Sequence, residues 1–197
     1  STLIGRLFFD TGSLPVEKYN EIKATCDKQG RPFEYAYLID ALEEEREQNV
    51  TIDTAQTFFQ SAKRQYVIID APGHKEFIKN MISGAANADA AVLLVDAEEG
   101  LREQTKRHAY LLSLLGIEKI LVFVNKLDLV DYSELRYHEV KDEVSSFLRS
   151  LGLVPTVTIP GSAREGENIA SQPVAFDWYR GQTFLEALDS FQTPAAN

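Results

Sequence analysis

The chain has 197 residues, of which 44% are hydrophobic and 25% are charged, a composition that suits a single soluble domain with a full core. Its formal net charge of −10 argues against a dedicated nucleic-acid binder, which would normally present a basic face. No apolar run reaches the roughly 20 residues that a membrane-spanning helix needs, so no membrane partner is expected. Cys26 is the single cysteine and cannot form an intramolecular disulfide, which favours a reducing, cytoplasmic location. We expect this thiol in a connecting segment.

The predicted elements alternate between strands and helices along most of the chain. The alternating segment "VTIDTAQTFF" (50–59) predicts an edge strand. Runs that are nearly continuously apolar predict strands buried on both faces: "QYVIIDAP" (65–72), "AAVLLVDA" (90–97), "KILVFVNK" (119–126) and the shorter "TVTIP" (156–160). Helices are predicted at 74–88, 102–116, 133–152 and 183–191. The alternation predicts a three-layer α/β domain, with a mostly parallel sheet, right-handed crossovers and one antiparallel edge strand.

The helix predicted at 102–116 carries two further signals. Four of its leucines are expected to form one apolar stripe: Leu111, Leu112, Leu114 and Leu115. Gly116 follows them and is a plausible C-cap, because glycine readily adopts the left-handed conformation that ends many helices.

Polar residues fall at the carboxyl ends of the predicted strands, where ligands bind in open α/β sheets. These residues are Asp70, Asp96, Asn125 and Ser162. For Asp96 a strand-end turn or helix-cap role is the favoured interpretation, since aspartate commonly stabilises turns through its own carboxylate. The other three belong to a larger pattern.

The motif "NKLD", residues 125–128, predicts a guanine site. The Asp128 carboxylate is acceptor-only and can take both neighbouring donors of a guanine edge, N1–H and the 2-amino group. The Asn125 amide can donate toward N7, and the stem of Lys126 can lie over the base with its ammonium in water. Adenine presents an acceptor at N1 against the carboxylate, so such a site selects against it.

The motif "DAPGH", residues 70–74, predicts a phosphate and metal site before a helix. Asp70 can hold Mg²⁺, which favours carboxylates together with phosphate oxygens. Gly73 lets a backbone N–H approach a terminal phosphate. His74 is then placed to orient an attacking water.

Two shorter signals complete the predicted site. Thr51 follows the charged segment "EEERE" and offers a hydroxyl as a second magnesium ligand. A bond from this hydroxyl to Mg²⁺ that depends on the γ-phosphate is the chemistry of a switch loop. In "GSAR" (161–164), the backbone N–H of Ala163 can face O6 of guanine while Ser162 stabilises the loop. The segment "EEERE" itself is interpreted as a solvated helix face.

In this order, Thr51, "DAPGH", "NKLD" and "GSA" resemble the switch, phosphate and guanine motifs of the translation-factor class of P-loop GTPases. The opening "STLIGRL" resembles the segment that comes directly after the Gly-Lys of the phosphate-binding loop and leads into the first helix. The resemblance implies that Ser1 ligates Mg²⁺ and that Thr2 contacts phosphate. It also implies GTP or GDP with Mg²⁺ as cofactors. We therefore expect a single GTP-binding domain over 1–197 that lacks the first strand and most of the loop.

Within the class, the chain most resembles the GTPase subunit of bacterial sulfate adenylyltransferases. The features are "STLIGRLFFD", "QTKRHAYLLSLLGI", "VNKLDLVD" and "GENIASQ" followed by "WYRGQTFLEALD". That resemblance implies a GTPase that couples GTP hydrolysis to formation of adenosine 5′-phosphosulfate from ATP and sulfate. It implies the catalytic subunit of that enzyme as partner and no direct contact with nucleic acid. Two positions depart from the pattern: Asn49 replaces a glycine before the switch threonine, and Arg164 replaces a leucine beside the base.

Two alternatives stay open. One is a translation elongation factor that delivers aminoacyl-tRNA to the ribosome, since elongation factors share the same motifs. The other is a guanine-nucleotide-binding module without useful hydrolysis, in which His74 is structural.

Overall fold

The computed structural model describes residues 2–48, 57–70 and 88–192. They fall into two compact units, Ser1–Ile68 and Ile69–Asn197. The prediction of a single domain over the whole chain stays a prediction.

The first unit contains three helices and a β-hairpin. The helices are α1 (Thr2–Asp10), α2 (Val16–Lys28) and α3 (Ala36–Gln48), and the strands are β1 (Thr57–Gln60) and β2 (Gln65–Ile68). The two strands pair antiparallel, with Phe58 opposite Val67. The Ser61 hydroxyl closes the turn between them by accepting the N–H groups of Lys63 and Arg64. Residues 57–59 of the predicted edge strand belong to β1, which pairs with the strand predicted to lie beside it, and residues 50–56 lie outside the described residues.

The sequence predicted Cys26 in a connecting segment, and this prediction is wrong. It is fully buried on α2, a helix that the sequence analysis did not predict. Few aliphatic residues mark α2, so its periodicity is weak. Aromatic contacts hold it in place instead: the Tyr19 ring lies 4.7 Å from Phe9 and 5.1 Å from Phe33.

The second unit is built on a parallel sheet in the order β3–β4–β5. Its elements are β3 (Ala91–Asp96), α4 (Glu103–Leu115), β4 (Ile120–Asn125), a 3₁₀ turn (Leu127–Val130), α5 (Glu134–Ser150), β5 (Val157–Pro160) and α6 (Phe184–Ser190). Both strand pairings are parallel, as crossover helices between consecutive strands require. The predicted α/β class is confirmed.

The core of the second unit surrounds β4. The five residues Ile120 to Val124 have no exposed surface, as expected for a strand covered on both faces. Helix α5 packs toward this core with four residues at helical spacing: Tyr137, Val140, Val144 and Leu148. The Tyr137 hydroxyl is also satisfied there, since it donates to the carbonyl of Thr158 at 3.0 Å.

The predicted leucine stripe of α4 is wrong in its orientation. Leu114 is 65% exposed, and the buried residues of this helix are Thr105 and Ala109. Leu112 packs against the core beside them, so the buried face follows the spacing i, i+4, i+7. The predicted C-cap is confirmed, because Gly116 has φ = 66° and its N–H donates to the carbonyl of Ser113.

The helix predicted at 74–88 lies outside the described residues, apart from its last position. None of the helices in the described ranges is long and apolar enough to span a membrane.

The capping box of α6 offers a test of the second unit. The Thr183 hydroxyl accepts the Glu186 N–H at 3.1 Å, and the Glu186 carboxylate accepts the Thr183 N–H at 2.8 Å. Thr183→Ala removes one half of this exchange in a buried setting, so the free energy of unfolding should fall by about 1–2 kcal/mol. Urea denaturation followed by the fluorescence of Trp178, the single tryptophan, measures the change.

Ser150→Ala is the matched control for this substitution. The Ser150 hydroxyl is exposed and only bonds back to the carbonyl of Phe147 on its own helix, so the loss should stay within about 0.5 kcal/mol. Equal losses in both variants would show that the capping box adds nothing specific.

Candidate functional site

The polar residues predicted at strand ends meet at one edge of the β3–β4–β5 sheet. Asp96 ends β3 and is paired in register with Asn125, which ends β4. Beyond β5, the N–H of Gly161 donates to the carbonyl of Val124, and the Leu127 N–H donates to the carbonyl of Gly161. These backbone bonds hold the loops after β4 and β5 together.

Gly161 is required at this junction, which the sequence analysis did not recognise. A Cβ at this position would lie 2.6 Å from the carbonyl oxygen of Glu167 and 2.8 Å from the Phe123 ring. Only glycine allows so close an approach. The signal in the sequence was a glycine directly before the predicted Ser162.

The Asn125 amide links the two loops. Its Oδ1 accepts the backbone N–H of Ala163 at 2.9 Å. This bond orients the side chain, so that the amide NH₂ group is the part that can donate elsewhere. The sequence predicted that this Ala163 N–H faces guanine O6, but here it donates to Asn125. That N–H would have to be shared between Asn125 and a bound base.

Asp128 is oriented by Ser162. The buried Ser162 hydroxyl donates to Asp128 Oδ1 at 2.6 Å and accepts the N–H of Glu165 at 3.2 Å. A carboxylate offers about four lone-pair positions, so one bond from Ser162 leaves acceptor capacity on both oxygens. The serine therefore fixes the carboxylate without using it up.

Lys126 carries an ion pair that the sequence analysis did not predict. Its ammonium lies 2.7 Å from Asp96 Oδ2, whereas the sequence placed it in water. The hydrogen bond to Asp96 raises the pKa of Lys126 above its ordinary value. The pairing of β3 with β4 brings the two residues together, since they stand at the ends of neighbouring parallel strands.

Asp96 also performs the turn role predicted for it. Its Oδ1 accepts the N–H groups of Glu98 at 2.8 Å and Glu99 at 3.3 Å. Burial alone would raise the pKa of Asp96, but the hydrogen bonds from Lys126 and from these two N–H groups outweigh burial and lower it. Asp96 is therefore a turn residue and the anionic partner of Lys126 together.

Arg164 is the one exposed residue of "GSAR". Its side chain is 72% exposed and pairs with Glu165 at 3.6 Å, while the neighbouring Ala163 is fully buried. Within the described part of the chain, no bond joins the Arg164 side chain to Asn125 or Asp128. The predicted contact of Arg164 with nucleotide remains a prediction.

The predicted phosphate and metal residues are only partly described. Ser1, Thr51, Gly73 and His74 lie outside the described residues. Thr2 is the first residue of α1, in the first unit. Asp70 is exposed. It lies close enough to His108 to influence that group, since burial lowers the pKa of His108 and the Asp70 charge opposes the shift.

No group of three or more His, Cys, Asp or Glu side chains is placed to hold a metal ion in the described ranges. Such a set is not needed for Mg²⁺ beside a nucleotide, which is usually held by one or two carboxylates together with phosphate oxygens and water. Asp70 has the right chemistry for one of these ligands.

Residues 1–194 match the family described as the elongation factor Tu GTP-binding domain. The chain is 47% identical to elongation factor 1-alpha of Pyrococcus furiosus over 98% of its own length, and 44% identical to that of Methanocella arvoryzae over 98%. It spans 45% and 46% of those two relatives.

Two solved structures are also similar to this chain. A structure of sup35 complexed with GDP matches 96% of this chain and 40% of its own, with a TM-score of 0.65 and 30% identity. A sup35 complex with GMPPNP matches 98% of this chain and 41% of its own, with a TM-score of 0.65 and 29% identity. The predicted cofactors, guanine nucleotide with Mg²⁺, are confirmed as those of this class.

The predicted sulfate adenylyltransferase subunit is wrong, because the matching relatives are named elongation factor 1-alpha. The predicted catalytic-subunit partner, and with it the expectation of no nucleic-acid contact, is wrong for the same reason. Part of that prediction rested on motifs that are expected to bind the nucleotide. They are shared within the class and do not report the partner.

Ser162→Ala tests the coupling of the two loops. It deletes a donor to Asp128 and an acceptor for the Glu165 N–H in a buried setting, so the free energy of unfolding should fall by about 1–3 kcal/mol. Urea denaturation followed by Trp178 fluorescence provides the measurement. Ser190→Ala is the control, since the Ser190 hydroxyl bonds only to the carbonyl of Ala187 one turn back. A loss no larger than that of Ser190→Ala would contradict the role given to Ser162.

Proposed function

Because the chain belongs to the elongation factor Tu GTP-binding domain family, we propose that it binds and hydrolyses GTP as the GTPase domain of a translation elongation factor. The observation that carries this proposal is the pair of side-chain bonds that fixes Asn125 and Asp128, the two residues proposed to recognise the base. The relatives at 44–47% identity favour elongation over other roles of the class.

Guanine recognition rests on two groups in this proposal. The Asp128 carboxylate accepts N1–H and the 2-amino group of the base, and its acceptor capacity beside the Ser162 bond supports that role. The Asn125 NH₂ group donates to N7, because Oδ1 is already bound to the Ala163 N–H. An adenine ring would bring an acceptor against Asp128 and leave a buried bond unmade.

The phosphates and Mg²⁺ would be held by residues that the motifs identify. We propose Asp70, Ser1 and Thr51 as metal ligands, and Thr2 and Gly73 as phosphate contacts. Bound Mg²⁺ would neutralise charge on the β- and γ-phosphates. Apart from Asp70 and Thr2, these residues lie outside the described ranges, so their roles rest on the motifs alone.

For the hydrolytic step we propose that His74 orients the attacking water. Phosphoryl transfer needs mainly positioning and stabilisation of spreading charge. The phosphate motifs contain no arginine to supply that charge from within, so the isolated domain should turn over slowly. Stimulation would come from the partner.

The proposed partners are those of the relatives. We propose that the whole protein carries aminoacyl-tRNA to the ribosome and that ribosome binding stimulates hydrolysis by this domain. Since the chain spans about 45% of the relatives' length, the residues that contact tRNA need not all lie within it.

Base selection is tested by Asp128→Asn. The amide presents one acceptor and one donor, which suits the N1–H and 2-oxo groups of xanthine and opposes the guanine 2-amino group. Affinity for GTP should fall and affinity for xanthosine triphosphate should rise, each by at least about tenfold. Competition titration against a fluorescent nucleotide measures both. Equal weakening for the two nucleotides would mean that the carboxylate only supports the loop.

His74→Ala tests the hydrolytic role. An imidazole that contacts water should leave GTP affinity nearly unchanged, while ribosome-stimulated hydrolysis falls by about 100-fold or more. Nucleotide titration and single-turnover hydrolysis, with and without ribosomes, separate the two effects. His138→Ala is the control, because His138 is half-exposed on α5 and lies 3.7 Å from Glu134 on the same helix. Full stimulated turnover by the His74 variant would favour a binding module in which this histidine is structural.

A further inference from the structure

Lys126 is held in a conformation that its own chemistry does not favour. Its φ is 63°, a left-handed backbone that is unfavourable for a residue with a Cβ. Its side chain is 52% exposed, and a lysine in water samples many rotamers. The intrinsic preferences of a lysine therefore do not explain why the Lys126 ammonium occupies a single position.

The carboxylate of Asp96 is constrained where that ammonium lies. Its side chain is 15% exposed. The two N–H groups of Glu98 and Glu99 hold Oδ1, which leaves Oδ2 for the 2.7 Å contact with Lys126. An anion fixed by two backbone donors is a rigid anchor for a flexible cation.

Helix α5 holds the loop that carries these donors. Arg136 donates through Nε to the carbonyl of Ala97 at 2.8 Å and through Nη2 to that of Glu98 at 3.1 Å. Glu143, two turns further along the helix, accepts the N–H of Leu101 at 3.3 Å. The loop after β3 is thus attached at both ends to a helix of the core.

We propose that Asp96 is a positioning residue of the guanine site: it anchors the Lys126 ammonium so that the lysine stem is already placed beside the base. This inference rests on the proposed function, since it assigns a role within the same site. Asp96 acts through Lys126 and does not itself touch the nucleotide.

Stability alone does not account for this arrangement. A half-exposed ion pair contributes little to folding stability, and Asp96 could close its turn without any cation. Anchoring the stem removes rotamer freedom before the ligand arrives, which strengthens binding chiefly by slowing release. The anchor should serve any purine that fills the site, because an apolar stem does not read the 2-amino group.

The test compares nucleotide release from four proteins and a control. The variants are Asp96→Asn, Lys126→Met and their combination, with wild type as reference. Asp96→Asn keeps an oxygen for the two N–H groups and removes the charge. Lys126→Met keeps an apolar stem and removes the ammonium. The control is Glu103→Gln, which breaks a comparable exposed pair with Lys106 on the same unit.

Release of a fluorescent GDP, chased with unlabelled GDP in a stopped-flow instrument, should be about 3- to 10-fold faster in each single variant. The double variant should release no faster than either single variant, because both changes break the same interaction. Inosine diphosphate should show the same acceleration as GDP. Glu103→Gln should match wild type.

A second measurement does not depend on whether Asp96→Asn folds. Raising the salt concentration screens the half-exposed pair, so wild-type release should accelerate with salt more steeply than release from Lys126→Met. Equal salt dependence in these two proteins would overturn the proposal.

The remaining outcomes separate a failure of this inference from a failure of the proposed function. Unchanged release from Asp96→Asn, or additive effects in the double variant, would overturn the role of Asp96 while leaving the proposed function intact. Failure of wild type to bind GDP, or no response of base preference to Asp128→Asn, would overturn the proposed function and this inference with it.

Discussion

The parallel pairing of β4 with β3 on one side and β5 on the other is the constraint on which this site depends. The residues Ile120 to Val124 of β4 are without exposed surface, so these side chains are apolar and the polar residue of the strand, Asn125, stands at its end. The register then sets Asn125 beside Asp96 and leads β5 into Gly161. Three chain segments thereby reach one edge with their functional groups already adjacent.

At that edge the polar groups satisfy one another before any ligand is present. Three bonds do so: Lys126 to Asp96, the Ala163 N–H to Asn125, and Ser162 to Asp128. Each bond uses part of the hydrogen-bonding capacity of its groups and leaves the rest for a ligand. The ion pair persists across neutral pH, because the pKa of Asp96 is lowered and that of Lys126 is raised. Its stabilisation would be lost as pH falls through the Asp96 pKa or rises through the Lys126 pKa.

The residues of a nucleotide site indicate which nucleotide binds, but they say less about the biological process that uses it. In the proposed function, Asn125 and Asp128 recognise a guanine edge, and guanine is the same base in every process that uses GTP. The choice between sulfate activation and translation depends on surfaces that contact partners, and the motifs do not encode those surfaces. Identity along the whole chain reports on such surfaces, and it supports elongation.

Periodicity and motif spacing determined the α/β class, the parallel strands of the second unit, the Gly116 cap and the candidate residues at the strand ends, because each of these depends on residues close in sequence. Helix α2 was not predicted, because it lacks an aliphatic stripe. Aromatic contacts of Tyr19 with Phe9 and Phe33 stabilise it instead. Leu114 was misplaced because sequence spacing predicts a stripe and not the direction in which the helix faces. The partnership of Asp96 with Lys126 and the need for Gly161 were decided only by tertiary structure. Asp96 and Lys126 are 30 residues apart, and only the pairing of two strands brings such groups within hydrogen-bonding distance.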